Sequence, residues 1–153
     1  MYLGVRVATV NSVLAQQFRW ALDFWATILD LDWYEENSEN CSMELIDGGR
    51  ELFAAAPDIM VARSQFPDRM AFQGWIAFNP AVALTKTELY RISVHEIGHM
   101  LGLRHNPNAK SLMYDLDLDS SESLDAADLA SLAARHKLRT ASLSEPVTLT
   151  KLP

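Results

Sequence analysis

His95, Glu96 and His99 stand in the order His-Glu-x-x-His, and Gly102 and His105 extend this to His-Glu-x-x-His-x-x-Gly-x-x-His. On an α-helix, residues four apart lie one turn apart on nearly the same side. His95 and His99 can therefore point two imidazoles at one ion, with Glu96 displaced to the flank. Gly102 comes where a helix can end on a left-handed glycine and swing sharply away. His105 follows at the distance from which such a turn brings a third imidazole back. Three histidines with a fourth position open read as a catalytic zinc site rather than a structural one. Five fixed positions arise by chance in roughly one in 10⁵ chains of this length, from ordinary residue frequencies, which sets aside an amphipathic helix with solvated histidines. Neutral imidazoles leave such an ion a formal dication, able to bring the pKa of water in the open position down to about 7. Glu96, next to a ligand, is the candidate general base. It would take a proton as that water attacks a carbonyl and pass it to the departing group, while the ion steadies the oxyanion.

Ser111-Leu112-Met113-Tyr114 follows closely on His105. With the histidine motif it resembles the methionine-bearing turn of the metzincin peptidases, most closely the matrixin (matrix metalloproteinase) branch. The resemblance implies one zinc per chain, with Met113 as the apolar floor beneath it. It implies an α+β, layered, zincin-like fold: a twisted, mostly parallel sheet with an antiparallel edge strand, a long N-terminal helix, the active-site helix and a C-terminal helix. It also implies that Gly74, Trp75, Ile76, Ala77 and Phe78 form an edge strand above the cleft that pairs with an extended substrate, as unpaired strand edges do. Asp128 matches the acidic residue that ties the closing helix to the Met-turn. Three departures stand out. Residues 64–73 carry no histidine, so a second, structural zinc of the matrixin kind is not expected. Asp115 and Asp117 replace the residues that shape the family's specificity pocket, so side-chain preference does not carry over. Cys41 lies in Asn40-Cys41-Ser42, unlike the family's inhibitory cysteine segment. Tyr114 directly follows Met113, as in matrixins, and is not assigned as a ligand.

The elements that must hold these residues follow from periodicity. Leu3 to Val10 reads as a strand. Asn11 or Ser12 can cap the helix that follows, in which Leu14, Phe18, Ala21, Leu22, Trp25 and Leu29 recur at helical spacing to about Asp30. Trp20 and Trp25 sit on that periodicity and read as packing residues. Leu31 to Glu35 is a short strand. Ser42 to Ile46 and Arg50 to Ala54 flank Asp47-Gly48-Gly49, a hairpin signal. Asp58 to Ala62 reads as a strand, Ser64 to Gln73 as a loop, and Gly74 to Asn79 as a strand. Thr85 and Glu88 fit a capping box at the head of the metal helix. Its Leu89, Ser93, Val94, Ile97, Met100 and Leu101 fall on the side away from the histidines. Gly98, between the two ligands, is costly for a helix and points to close packing. Asp115 to Glu122 is acidic but lacks the glycine and distal glutamate of an EF-hand, so calcium stays open but is not indicated. Leu124 to Leu138 reads as a helix, with His136 at its surface.

At 153 residues with 49% hydrophobic and 22% charged, the chain suits one globular domain. Residues 1–139 are expected to form the catalytic domain and 140–153 a loosely held tail. A net charge of −7 argues against nucleic acid or an anionic membrane as partner, and no apolar run reaches membrane-spanning length. The start, MYLGVRVATV, shows no signal peptide. Compartment is unknown from the sequence, secreted if the chain is the catalytic part of an exported precursor as the resemblance suggests. One cysteine permits no internal disulfide. A monomer acting on a protein or peptide is expected. The alternatives are a zinc hydrolase for a non-peptide amide and a non-catalytic, zinc-stabilised binding module; Glu96 argues against the latter, which has no use for a base.

Overall fold

The computed structural model describes residues 1–38, 40–48, 53, 62–68, 73–114, 123–139 and 147–149. The order along the chain is β1 (Tyr2–Val7), α1 (Ser12–Ile28), β2 (Asp32–Glu35), β3 (Met43–Asp47), β4 (Ala62–Asp68), β5 (Gln73–Phe78), α2 (Lys86–Met100), β6 (Ser123–Leu124), α3 (Ala126–Ala133) and β7 (Val147–Thr148). The first five strands form one sheet in the order β2-β1-β3-β5-β4. β1 runs parallel to β2 and β3, and β3 parallel to β5, whereas β4 is antiparallel to β5. This is the α+β, mostly parallel arrangement with an antiparallel edge that the resemblance implies.

Alternation places Leu3, Val5, Met43, Leu45 and Ile76 on one face of the sheet, all buried and in one core with α1 and α2. α1 starts on Asn11, whose Oδ1 accepts from the amides of Val13 and Leu14 at 3.1 Å each, satisfying two of the donors a helix start leaves free. Phe18, Leu22 and Trp25 then go fully inside. α1 and α2 pack against each other, and the Trp25 indole N–H donates to the Val94 carbonyl of α2 at 3.0 Å. Trp25 is thus the packing residue its periodicity implies. No described helix is long and apolar enough to cross a membrane. Cys41 is buried, and burial, then the nearby Glu44 charge, push its thiol pKa up.

Several expectations need correcting. β3 has parallel neighbours on both sides along Met43–Leu45, so it offers no free edge there to a hairpin partner from residues 50–54; those residues, Phe53 apart, lie outside the described residues, as do 58–61. Residues 62–68, read mainly as loop, are β4. β5, with Gly74, Trp75, Ile76, Ala77 and Phe78, is not an edge strand: β3 pairs along one side and β4 along the other. α3 is shorter than Leu124 to Leu138, because Leu124 belongs to β6 and Leu138 bridges to Leu29. Within the expected tail, Val147 and Thr148 pair with Leu124 and Ser123, a two-residue ladder too short to leave a periodic trace. The acidic stretch 115–122 lies outside the described residues.

Candidate active site

α2 begins on the expected capping box: the Glu88 amide donates to Thr85 Oγ1 at 3.2 Å and the Thr85 amide to Glu88 Oε1 at 3.0 Å. The Thr85 amide, and after it the Thr85 side chain, hold the Glu88 carboxyl below its usual pKa. The helix is covered on more sides than an amphipathic one, with Ile92 to Gly98 all buried. It ends as the sequence implies. Gly102 has φ of 100°, its amide donates to the His99 carbonyl, and the Leu103 amide reaches back to the Gly98 carbonyl. This pair of bonds is a Schellman turn, whose left-handed position favours a residue without a β-carbon.

The turn brings the three histidines together. Their ligand-capable nitrogens all lie within 4.8 Å of one another. Ring centroids are 4.7 Å apart for His95 and His99, 4.7 Å for His99 and His105, and 5.4 Å for His95 and His105. His95 is buried, His99 half-buried and His105 exposed, so the cluster opens toward solvent on the His105 side.

Hydrogen bonding decides what this cluster can bind. His95 Nδ1 lies 2.7 Å from the Leu112 carbonyl, and His99 Nδ1 lies 2.8 Å from the Leu103 carbonyl. A carbonyl only accepts, so both rings carry a proton on Nδ1, which in a neutral ring leaves Nε2 as the ligand atom. Those two Nε2 atoms face each other at 3.1 Å. Two lone pairs at that distance repel unless a proton or a metal cation lies between them. Tetrahedral zinc with Zn–N near 2.0–2.1 Å sets its ligand nitrogens about 3.3 Å apart. The donor set therefore fits zinc, with each Nδ1–H braced by a carbonyl as ligating histidines usually are. Glu96, one residue round the helix from His95, is buried to the same depth, 9% exposed in each case.

Met113 is fully buried and lies against α2: a β-carbon on Gly98 would come within 2.6 Å of its sulfur and 3.1 Å of Trp25 Cζ2. That is the close packing Gly98 implies. The turn carrying Met113 is tied down through Asp128. Ser111 Oγ donates to Asp128 Oδ2 at 2.6 Å, and Asn106 Nδ2 donates to Oδ1 at 3.1 Å. Ser111 Oγ in turn accepts from the Met113 amide, and the Asn106 amide donates to the Met113 carbonyl. Burial pushes the Asp128 carboxyl pKa up, against the pull of Ser111 and Asn106. For Asp125, which caps α3 with Asp128, burial opposes ionisation, but the Asp128 amide and the side chains of Asn106 and Asn108 hold its pKa down.

Two features were not legible in the sequence. Asn106 and Ser111 carry the link from the segment after α2 to Asp128; only their neighbourhood to His105 and Met113 marked them. His136 is not a plain surface residue: it is half-buried, and its Nε2 lies 2.7 Å from the Leu101 carbonyl.

Comparison with known proteins agrees with this geometry. Over a stretch of 46 residues the chain is 50% identical to the macrophage metalloelastase of Rattus norvegicus. That stretch is 28% of this chain and spans 10% of the rat enzyme's length. The family model described as Matrixin matches residues 7–135. A match over most of the chain, with the histidine cluster and the buried Met113 in place, shows that it belongs to the matrixin family.

Proposed function

We propose that this chain is a zinc-dependent endopeptidase in which His95, His99 and His105 hold the metal and Glu96 is the general base. The observation that carries the reading is the facing Nε2 pair, each ring fixed by a carbonyl at its other nitrogen. When bound, zinc supplies Lewis acidity, lowering the pKa of water to about 7 and polarising a carbonyl. The chain's own groups do the rest. Glu96 accepts a proton from the attacking water as the new C–O bond forms, then delivers it to the nitrogen as the C–N bond breaks. Met113 backs the ligand helix and limits its movement.

An extended peptide is the substrate class that the sheet supports. β4 packs beside α2 and pairs, among the described residues, with β5 alone. Its outer edge offers N–H and C=O groups to a peptide backbone. Gly74 to Phe78 would then support the binding strand from behind. The test is metal content and casein cleavage, with and without a chelator, for the wild type and Glu96→Ala. We expect about one zinc per chain in both proteins, cleavage that the chelator abolishes, and a loss of roughly 10²- to 10⁴-fold in kcat/KM for the variant. Undiminished cleavage by Glu96→Ala would overturn the assignment of the base, and a wild type without zinc would overturn the site.

A further inference from the structure

α3 and the turn that follows it touch the ligand-bearing segment at two places. At the first turn of α3, Asp128 accepts from Asn106, the residue after His105. Past its last turn, His136 reaches the Leu101 carbonyl at 2.7 Å; because that oxygen only accepts, the ring must carry a proton on Nε2. Leu101 is the C-cap of α2. The last carbonyls of a helix find no partner within it. Here Gly98 and His99 are served by the Schellman turn, and Leu101 is served by His136. Arg135, the preceding residue, lies across the turn itself: a β-carbon on Gly102 would meet its Cδ at 2.7 Å and its Nε at 2.8 Å.

The segment from Leu101 to Asn106 is thus held at both ends from α3, with only Gly102 to His105 between the anchors. That span contains the exposed third ligand. It also contains the Leu103 carbonyl that fixes the His99 ring. A shift at Leu101 therefore moves two of the three metal-facing groups together.

We infer that His136 is a positioning residue for the metal centre: by holding the Leu101 carbonyl it fixes the turn that aims His105 and, through Leu103, His99. The inference rests on the zinc reading above. It is tested by the rate at which the zinc-loaded protein gives up its metal to a chromophoric chelator. Thermal midpoints of the metal-free proteins serve as the control for general stability. His136→Phe keeps a ring but loses the donor. His136→Gln places an amide N–H where Nε2 was, and His136→Asn has the same amide but falls short of Leu101. We expect Phe and Asn to release zinc about 3- to 10-fold faster and Gln to stay near the wild-type rate, a smaller effect than the roughly 10- to 100-fold typical of groups bonded directly to a ligand. If Phe fails to fold, the Asn and Gln pair carries the comparison. Faster release by Gln equal to that of Asn, or lower midpoints with unchanged release throughout, would overturn the inference. A wild type that binds no zinc would instead sink the zinc reading itself.

Discussion

Gly98 occupies the helix position where the two halves of the site meet. Met113 Sδ and Trp25 Cζ2 both crowd the place a β-carbon would take, and both residues are fully buried with no room to retreat. Alanine is ordinarily the better helix former by about 1 kcal/mol, yet overpacking a full site costs about 1–3 kcal/mol. Gly98→Ala should therefore destabilise the protein in urea unfolding. Met113→Ala, harmful alone, should recover part of that loss when combined with it, because the contact is shared. Strict additivity of the two changes would show that they do not touch. At this scale the sequence is informative because the three histidines are local: a helix turn and a glycine bring His95, His99 and His105 together. The braces were hidden for the opposite reason. His136 lies far along the chain from Leu101, and no spacing rule links a histidine after one helix to the last carbonyl of another.

Elements complete one another across long separations. α1 has no basic residue in its last turn, where a cation suits the helix dipole. Arg139 provides one: its Nε donates to the Ala26 carbonyl at 2.5 Å, its Nη2 to the Leu31 carbonyl at 2.8 Å, and its amide to the Ile28 carbonyl. Arg139→Ala should cost about 1 kcal/mol, seen as a lower thermal midpoint, and Lys should restore only part, since a point charge cannot serve two carbonyls in fork geometry. A midpoint equal to the wild type would show that the cap contributes nothing. The element-level misreadings have physical causes. Asp47-Gly48-Gly49 is good turn chemistry, but turn chemistry does not choose the partner, and parallel neighbours fill both sides of Met43–Leu45 in β3; residues 50–54, Phe53 apart, lie outside the described residues. β4 contains Pro67, which removes a ladder donor and suggests a loop; an outermost strand is where a sheet tolerates it. The apolar GWIAFN pattern marked a strand correctly and was silent about which strands flank it.

The whole molecule should reveal its packing at alkaline pH. Tyr90 on α2 is 4% exposed, and burial, followed by the negative charge of Asp23 on α1, pushes its pKa up to about 12. The fold thus favours the neutral phenol, while the unfolded chain ionises near the ordinary value of about 10. This contribution is fully present below pH ~10 and is lost as pH rises through about 12. Urea stability of the wild type should fall across that window, and Tyr90→Phe should fall less. Parallel curves would show that some other group is responsible. The same tight seam between α1 and α2 holds one labile hydrogen whose fate is tied to it. The Trp25 indole proton sits on the Val94 carbonyl with its ring wholly shielded, whereas the Trp33 indole proton rests on Asp23 in an exposed bond. Solvent deuterium can reach the first only when the two helices part. Its exchange lifetime is therefore a clock for how often the helix that carries the histidines comes away from its support.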